Sequence, residues 1–288
     1  MKVLRTVKEL EECAASLRAH GQSVGLVPTM GALHAGHLSL VEHARAAGDT
    51  VIASVFVNPT QFNNPTDLAT YPRKEDDDFR LLEQAGVYAV FAPAVEEIYP
   101  DGLDNAAKGH TFDLGPVAEV MEGKFRPGHF QGVALIVSKL LRMASPHRAY
   151  FGEKDFQQIA VIRRMTATED IDVEIVNVPI KRADDGLALS SRNALLTEAQ
   201  RQTAPEIYRT LLYSVDYSKD HSVQATHDTV VERLDAIPDL QVEYFEIVDG
   251  NTLIPVADWA DSDYIVGCIT VYCGKVRLID NIRYRPLS

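Results

Sequence analysis

Apolar residues in the first part of the chain alternate between short continuous runs and longer segments with helical spacing. The run at 50–57 is almost entirely apolar, which is typical of a strand buried on both faces of a parallel sheet. Similar short runs predict strands at 24–27, 89–93, 148–151 and 172–178. Helical spacing of apolar residues predicts helices at 6–19, 38–47, 76–85, 133–143 and 157–167. This alternation predicts an α/β fold with a parallel sheet and right-handed crossovers.

The pattern changes after about residue 181. Helical spacing predicts two helices, at 198–213 and 227–236. Alternation of polar and apolar residues predicts strands of a small antiparallel sheet at 244–248, 264–269 and 276–280. We therefore expect two domains, a parallel-sheet domain at 1–180 and a smaller α+β domain at 181–288.

Composition narrows the class of protein. The chain has 288 residues, of which 46% are apolar and 24% are charged, as in ordinary soluble enzymes. A net charge of −13 disfavours a protein that grips nucleic acid, although a locally basic pocket is compatible with a small anionic substrate. The sequence shows no run as long as a membrane span and no signal-peptide pattern, so we expect a cytoplasmic protein without a membrane partner. Its three cysteines lack metal-type spacing.

The strongest candidate site follows the predicted strand at 24–27. A glycine-containing turn and the start of a helix are formed there by Met30, Gly31, Ala32, Leu33, His34, Ala35, Gly36 and His37. His34 and His37 are three residues apart, so on a helix they would share one face. Because a helix N-terminus offers N–H groups and positive dipole to phosphate, two imidazoles there favour chemistry at a triphosphate. The alternative is an ordinary strand-to-helix turn with two surface histidines.

Two further candidates are loops rich in polar residues. Gln61 follows the strand at 50–57, beyond the strand end where ligands of parallel sheets bind, and it carries both a donor and an acceptor. The alternative is a capped turn, because Asn58 and the proline after it are common turn chemistry. In the glycine-containing loop before 133–143, Arg126 and His129 could bind a carboxylate. That loop could equally be solvated and without a ligand.

The segment after the strand at 148–151 opens another predicted helix. Lys154 could reach a phosphate as a point charge, and Asp155 could cap the helix or contact a ribose hydroxyl. Gln158 lies three residues beyond Asp155 and therefore near the same face. A solvated helix start is the alternative for these charged residues.

The second predicted domain begins with two adjacent hydroxyls beside an arginine. Ser190 and Ser191 could bind phosphate oxygens, and Arg192 could form a bidentate fork, although serine is also a common helix cap. In the first domain, an aspartate run that includes Asp77 and Asp78 could hold magnesium. Such a run is more often a solvated helix start.

Seven segments together resemble, in order and over essentially the full length, the pattern of the pantoate–β-alanine ligase family of the nucleotidyltransferase superfamily. They are P-T-M-G-A-L-H-A-G-H at 28–37, F-V-N-P-T-Q-F at 56–62, Y-P-R at 71–73, E-I-Y-P at 97–100, R-P-G-H-F at 126–130, F-G-E-K-D-F-Q-Q at 151–158 and G-L-A-L-S-S-R-N at 186–193. The resemblance implies a Rossmann-like N-terminal domain with a smaller C-terminal lid domain near the dimer interface. It also implies a cytoplasmic homodimer.

The resemblance assigns roles to individual residues. It implies that residues 30–37 hold ATP, with His34 and His37 facing the phosphates and His37 as the catalytic proton donor. Lys154, Ser190, Ser191 and Arg192 would complete a phosphate clamp. The remaining implied contacts to ATP are Gly152, Glu153, Asp155, Lys181 and Leu189. Gln61 and Gln158 would bind pantoate, and Gln61 would also meet β-alanine.

The implied reaction condenses ATP, (R)-pantoate and β-alanine to pantothenate, AMP and pyrophosphate through a pantoyl adenylate, with Mg²⁺. An alternative is another adenylyl- or cytidylyltransferase of the superfamily, which would share the histidines but lack Gln61, Gln158 and the segment at 190–192 in this form. A class I aminoacyl-tRNA synthetase is disfavoured by the short, acidic chain. A non-catalytic nucleotide-binding regulator would be expected to have lost the charged groups that remain here.

Overall fold

The computed structural model describes residues 1–62, 65–103, 105 and 109–285. The chain divides into two compact units. The first comprises Met1–Glu153 and Gln157–Pro179, and the second comprises Lys154–Phe156 and the chain from Ile180 onward. The main division lies between Pro179 and Ile180, and Lys154–Phe156 belong to the second unit.

The first unit is built on a six-stranded parallel sheet, which confirms the predicted α/β class. Its strands are β1 Lys2–Leu4, β2 Val24–Thr29, β3 Thr50–Val55, β4 Ala89–Phe91, β5 Arg148–Gly152 and β6 Glu174–Val178. Their order across the sheet is β1-β4-β3-β2-β5-β6. The sequence did not predict β1, because three residues are too few to show a period.

Helices connect these strands. They are α1 Val7–Ala19, α2 Ala35–Ala46, α3 Pro65–Thr70, α4 Glu75–Gln84, α5 Val95–Ile98, α6 Glu122–Phe125, α7 His129–Ala144 and α8 Phe156–Thr168, with 3₁₀ turns at Pro59–Gln61, Pro116–Ala118 and Glu153–Asp155. Helix α7 begins earlier than predicted, directly after Gly128, whose left-handed backbone ends the preceding loop. In the described part of the chain, every helix is too short or too polar to cross a membrane.

The core of this unit lies on both faces of the sheet. On one face, Leu26 and Ile52 pack with α1, α7 and α8. On the other face, the next residues along each strand, Val27 and Ala53, pack with α2 and α4. All four side chains are fully buried. Because successive residues of a strand point to opposite faces, burial on both sides explains the continuous apolar run of β3.

The strand order reverses beside β2. The chain adds β3 and then β4 on one side of β2, whereas β5 and then β6 lie on the other side. In open parallel sheets, a crevice opens beyond the carboxyl ends of the strands at such a reversal. The histidine segment follows β2, and the turn that carries Gln61 follows the neighbouring β3. The topology thus places both segments at the edge of the sheet where ligands bind.

The second unit is a smaller α+β fold. Its elements are a 3₁₀ turn at Ser191–Leu195, helices α9 Glu198–Thr203, α10 Glu206–Tyr217 and α11 Val223–Asp235, and strands β7 Leu240–Asp249, β8 Ile265–Cys273 and β9 Val276–Arg285. The strands form an antiparallel sheet in the order β7-β8-β9. Helices α10 and α11 pack on this sheet, and the hydroxyl of the buried Tyr284 lies 2.5 Å from Ser214 Oγ.

The structure corrects the prediction of one helix at 198–213. Two helices, α9 and α10, occupy this region, and the break lies at Pro205. Proline has no backbone N–H and its ring clashes with the preceding turn, so it cannot continue α9. Pro205 instead takes the position before the first residue of α10. The three predicted strands are confirmed, and each extends further than its alternating pattern.

A buried carboxylate joins the amino ends of three central strands. Asp49, with a fully buried side chain, precedes β3 and accepts bonds from Arg148 Nε at 2.9 Å and Nη2 at 2.5 Å. It also accepts from the hydroxyls of Tyr150 and Ser23, each at 2.6 Å. Burial opposes ionisation of Asp49, but these donors outweigh it and lower its pKa. The charged acid therefore ties β2, β3 and β5 together at the edge opposite the crevice.

We expect Asp49→Asn to lower the free energy of unfolding by about 3 kcal/mol at neutral pH, because the Arg148 guanidinium loses its charged partner. Folding lowers the pKa of the Asp49 carboxyl. Its contribution to stability is therefore complete above the pKa of an unfolded aspartate, about 3.9, and is lost as the pH falls through the lower pKa of the folded state. Urea unfolding of both proteins between pH 7 and pH 3 measures the difference. Equal stability at pH 7, or a gap that widens in acid, would contradict this role.

Candidate functional site

The segment after β2 places two imidazoles at the start of α2. His34 is the N-cap, with an extended backbone, and its Nδ1 accepts the Gly36 N–H at 3.1 Å. His37 is the third helical residue, and its Nδ1 accepts the His34 N–H at 3.3 Å. The ring centroids are 4.1 Å apart. The two rings are neighbours, as the spacing predicts. They do not share a helical face, however, because His34 precedes the helix and each histidine helps to cap its N-terminus.

These two bonds determine which nitrogen of each ring carries the proton. A ring nitrogen that accepts an N–H carries no proton, so each neutral imidazole has its proton on Nε2. His34 and His37 are therefore N–H donors at the positive end of the α2 dipole. Such donors stabilise negative charge. Protonation of either Nδ1 would remove a hydrogen bond that caps the helix.

A buried aspartate holds the turn before α2. Asp78, on α4 and 2% exposed, accepts the Ala32 N–H at 2.9 Å and the Leu33 N–H at 2.7 Å. Gly31 has a φ of +79°, and a Cβ there would lie 2.9 Å from Asp78 Oδ2, so the turn requires glycine. Burial raises the pKa of Asp78, and the two N–H bonds only partly oppose it. The N–H groups of Ala32 and Leu33 thus bind an anion of the protein itself.

Gln61 lies next to the histidine segment. It is buried in the 3₁₀ turn after β3, and its Nε2 is 2.8 Å from Met30 Sδ. Its Oε1 accepts Asn58 Nδ2 at 3.2 Å. Since β2 and β3 are adjacent and parallel, the segments that follow them meet at the same edge. The structure therefore brings together two of the candidates that the sequence identifies separately.

The start of α7 supports the Gln61 turn. A Cβ on Gly132 would lie 2.2 Å from the Thr60 carbonyl oxygen, so the helix backbone contacts the turn directly. The buried His129 donates from Nδ1 to the Gln61 carbonyl at 2.8 Å, which leaves Nε2 to accept from Arg126 Nη1 at 3.1 Å. Arg126 and His129 are thus tied to the Gln61 segment, and their direct contact with a substrate carboxylate stays a prediction.

Two consecutive glutamines on α8 have different surroundings. Gln157 is 4% exposed; it donates to the carbonyls of Val117 and Val120, both at 2.8 Å, and accepts the Glu122 N–H at 2.9 Å. Gln157 therefore holds the loop before α7. Gln158 is only half-buried and faces a different direction around the helix. This difference favours Gln158 as the ligand of the pair.

The segment after β5 contributes to both units. Gly152 and Glu153 belong to the first unit, and Lys154 and Asp155 belong to the second. The Lys154 ammonium lies 3.3 Å from Asp155 Oδ2. Within the second unit, the amide of Asn281 donates to the Lys154 carbonyl at 3.3 Å. The backbone of Lys154 is therefore positioned by β9.

The loop from Lys181 to Leu189 closes on itself in the second unit. The Leu189 N–H donates to the Lys181 carbonyl at 3.0 Å. Arg182 makes two bonds, of 2.6 and 2.9 Å, to the nearly fully buried Asp280 on β9. Burial raises the pKa of Asp280, and Arg182 opposes this shift. These bonds fix the loop on the small sheet.

The serine–arginine segment directly follows this loop. Ser190 caps the 3₁₀ turn and accepts the Arg192 N–H at 3.3 Å, which confirms the predicted cap. Asn193 Nδ2 donates to the Ala188 carbonyl at 3.0 Å. Asn193 Oδ1 is buried and, among the described residues, has no hydrogen-bond partner. A buried acceptor of this kind is suited to an N–H group of a ligand.

The aspartate run does not form a prepared metal site. Both oxygens of Asp78 bind backbone N–H groups, and Asp77 bonds Arg80 at 2.7 Å on the surface. Within the described ranges, no three His, Cys, Asp or Glu residues are grouped to hold a metal. A cation in this region would depend on ligands from a bound substrate.

Sequence reasoning missed the residues that support the site. Asn58, Gly132 and Asp78 act through contacts with segments distant in the chain. The one usable signal was the position of the Asp78 carboxylate on the apolar face of its helix, where it faces the core. Asn58 lies in a predicted site segment, but its local pattern indicates only a turn and does not show that its amide binds the Gln61 side chain.

The chain is similar to a known family over its length. A family model for pantoate–β-alanine ligase matches residues 2–283. A pantothenate synthetase of Phocaeicola vulgatus is 55% identical over 286 residues, which are 99% of this chain and 100% of that protein. Another, of Porphyromonas gingivalis, is 56% identical over 284 residues, 99% of each chain.

Solved structures agree with the fold. The pantothenate synthetase of Thermus thermophilus has a TM-score of 0.90 at 43% identity and covers 99% of this chain and 100% of its own. A pantoate–β-alanine ligase of Francisella tularensis, described as complexed with β-γ ATP and β-alanine, has a TM-score of 0.79 at 36% identity. That match covers 99% of this chain and 98% of the other.

We expect Asp78→Ala to loosen the turn before α2, because the N–H groups of Ala32 and Leu33 lose a charged acceptor. Each such bond is worth about 1.5–3 kcal/mol, so amide hydrogen exchange at these two positions should speed up by about tenfold or more. Asp77→Ala, one residue away on the surface, is the matched control and should leave their exchange unchanged. Unaltered protection in Asp78→Ala would show that another group holds the turn.

Proposed function

This chain belongs to the pantoate–β-alanine ligase family and joins pantoate to β-alanine through a C–N bond, and we propose that it does so by way of a pantoyl adenylate. The observation that carries this route is the pair of imidazole N–H donors at the crevice edge, with Gln61 beside them. The Francisella tularensis neighbour, complexed with β-γ ATP and β-alanine, supports ATP as the third substrate. The match over residues 2–283 disfavours another nucleotidyltransferase.

The route follows from the chemistry of a carboxylate. An amine cannot displace the oxygen of a carboxylate, because that oxygen is a poor leaving group. In the first step, a carboxylate oxygen of pantoate bonds to the α-phosphorus of ATP, and the bond to pyrophosphate breaks. In the second step, the amine of β-alanine bonds to the activated carbonyl carbon, loses a proton, and releases AMP. Negative charge develops on the phosphates during the first step and needs fixed donors.

The histidines would supply such donors. His34 and His37 each hold Nδ1 as an acceptor toward the backbone, so Nε2 carries the proton that we assign to phosphate oxygens. A proton-donor role for His37 would require an imidazolium, which would break the cap. We therefore assign both rings to charge stabilisation. The dipole of α2 adds to the same effect.

The second unit would supply the cationic part of the clamp. Lys154 and Arg192 carry fixed positive charge, and the hydroxyls of Ser190 and Ser191 offer further donors. For the nucleoside, the proposed contacts are Gly152, Glu153, Asp155, Lys181 and Leu189. Support comes from the bonds that fix the backbone of Lys154 and close the loop from Lys181 to Leu189. A lid role for this unit would exclude water from the mixed anhydride.

Pantoate would bind in the first unit. Gln61 and Gln158 are its proposed ligands, and Gln61 also lies in the segment proposed to meet β-alanine. Arg126 and His129 would act mainly by supporting Gln61, because the His129 ring is bonded to the Gln61 carbonyl and to Arg126. The proximity of Gln61 to Met30 supports a pantoate site next to the ATP segment.

Magnesium would enter with the nucleotide. Mg²⁺ usually keeps several waters and binds substrate phosphates with one or two carboxylates. The residues described here offer no protein cage for it, so ATP phosphates would provide most of its ligands. When bound, the ion would neutralise phosphate charge. Of the two candidate carboxylates, Asp77 and Asp78, only that of Asp77 faces solvent.

We also propose that the protein is a cytoplasmic homodimer. The resemblance to the family implies both properties. The three cysteines are free and buried, which is compatible with a reducing compartment. Light scattering of the purified protein would measure its mass in solution.

We expect AMP and pyrophosphate to form in equal amounts only when ATP, pantoate and β-alanine are all present under multiple-turnover conditions. Without β-alanine the adenylate cannot be discharged, so at most about one turnover should follow. Separation of the nucleotides by chromatography gives the readout, with β-alanine replaced by propionate as the control. Continued AMP formation without the amine, or release of ADP, would contradict the ligase route.

We expect His37→Ala and His37→Gln to differ. Glutamine keeps an N–H donor near the position of Nε2 but cannot act as a general acid, whereas alanine has neither property. Loss of one preorganised donor typically costs on the order of 10²–10³ in rate, so His37→Ala should fall by that amount and His37→Gln by less than about tenfold. Single-turnover adenylate formation measures both. Equal loss in the two variants would favour proton transfer instead.

A further inference from the structure

A buried polar chain leads from Tyr99 to Gln61. Tyr99 follows α5 and is 3% exposed, and its hydroxyl donates to Asn58 Oδ1 at 2.7 Å. Thr60 Oγ1 donates to the same oxygen at 3.1 Å. Burial, partly opposed by Thr60, raises the pKa of Tyr99 to about 12, so the hydroxyl keeps its proton in any ordinary assay. Asn58 Oδ1 therefore accepts two hydroxyl protons.

The other end of the Asn58 amide is also fully used. Its Nδ2 donates to the Gly132 carbonyl at 3.1 Å and to Gln61 Oε1 at 3.2 Å. Asn58 itself is 1% exposed. If the Asn58 amide were turned over, its oxygen would face the carbonyl oxygens of Gly132 and Gln61. Its nitrogen would then face the hydroxyls of Tyr99 and Thr60, which would have no acceptor there. The amide of Asn58 thus has one orientation.

That orientation determines which end of Gln61 is available to a ligand. Since Oε1 accepts from Asn58, Nε2 lies at the other end, where it is 2.8 Å from Met30 Sδ. A thioether sulfur is a weak acceptor, so the two N–H groups of Nε2 are poorly satisfied by the protein. Nε2 also lies on the side of the histidine segment. Gln61 is thereby prepared to donate to an oxygen and not to accept from an ammonium group.

We infer that Tyr99 is a positioning residue that acts through Asn58 to hold the Gln61 amide as a hydrogen-bond donor to an oxygen of pantoate. The inference rests on the proposed function and extends it by naming the atom of Gln61 that reads the substrate. In this role, Tyr99 itself does not touch substrate. Its hydroxyl matters because an Asn58 amide with a single donor on Oδ1 is less firmly fixed.

The test is Tyr99→Phe, which removes the hydroxyl and keeps the ring in its apolar surroundings. Loss of one such bond corresponds to about a fivefold effect, so the KM for pantoate should rise by about fivefold while the KM for ATP stays within about twofold. Tyr150→Phe is the matched control. It also removes a buried tyrosine hydroxyl, bonded to Asp49 at the opposite edge of the sheet, and should lower the Tm without changing the KM for pantoate.

A double-mutant cycle separates positioning from general destabilisation. If Tyr99 acts through Gln61, Tyr99→Phe should add nothing to the KM for pantoate in a Gln61→Ala background. A fivefold rise that persists in that background would overturn the inference. So would an unchanged KM in a Tyr99→Phe protein whose Tm falls as in Tyr150→Phe. If Tyr99→Phe does not fold, Thr60→Val removes the other hydroxyl donor to Asn58 and is expected to shift the same KM.

Failure of the proposed function gives a different result. In that case the wild-type protein itself would form no pantoate-dependent AMP, before any variant is compared. If the wild-type enzyme is active with pantoate but the effect of Tyr99→Phe is independent of Gln61, only the positioning role of Tyr99 is rejected.

Discussion

Strand order reverses beside β2, and this reversal determines where the first unit can bind a ligand. Parallel strands buried on both faces cannot open a cavity within the sheet, so the fold offers a ligand site only beyond the strand ends. The carboxyl ends of β2, β3 and β5 lie at this edge. The segments at these strand ends contain the two histidines, Gln61 and Gly152. The opposite edge is fixed by the Asp49 carboxylate, which bonds groups at the starts of β2 and β5.

Around this edge, the polar groups nearest the proposed substrates are held by a second set of buried polar groups. Asp78 binds the turn before the histidines, and Asn58 binds the Gln61 amide. Asn58 leaves the Gln61 amide as a donor, whereas the Gly36 and His34 N–H groups determine which nitrogen of each imidazole carries the proton. The imidazoles and the Gln61 amide all become donors, which suits three substrates rich in phosphate and carboxylate oxygens. Fixed donors of this kind need no reorganisation when charge develops.

Local patterns predicted the sheet, the helices and the segments at the strand ends, because apolar runs and helical spacing are encoded by neighbours in the chain. Contacts that define the site are not local. Ala32 and Asp78 are separated by 46 positions, and Asn58 and Tyr99 by 41. The aspartate run shows why local patterns are not sufficient. Its composition predicts a solvated helix start, yet Asp78 is buried and accepts backbone N–H groups. The break at Pro205 was readable from the sequence, whereas the three-residue β1 was not.

In the proposed route, a carboxylate oxygen of pantoate bonds to the α-phosphorus of ATP before the amine of β-alanine attacks. This route can be tested with pantoate labelled with ¹⁸O in its carboxylate, by separating the products after complete reaction with ATP and β-alanine. We expect each AMP to carry one labelled oxygen and pyrophosphate to carry none. Label in inorganic phosphate, with ADP as the nucleotide product, or unlabelled AMP would contradict it.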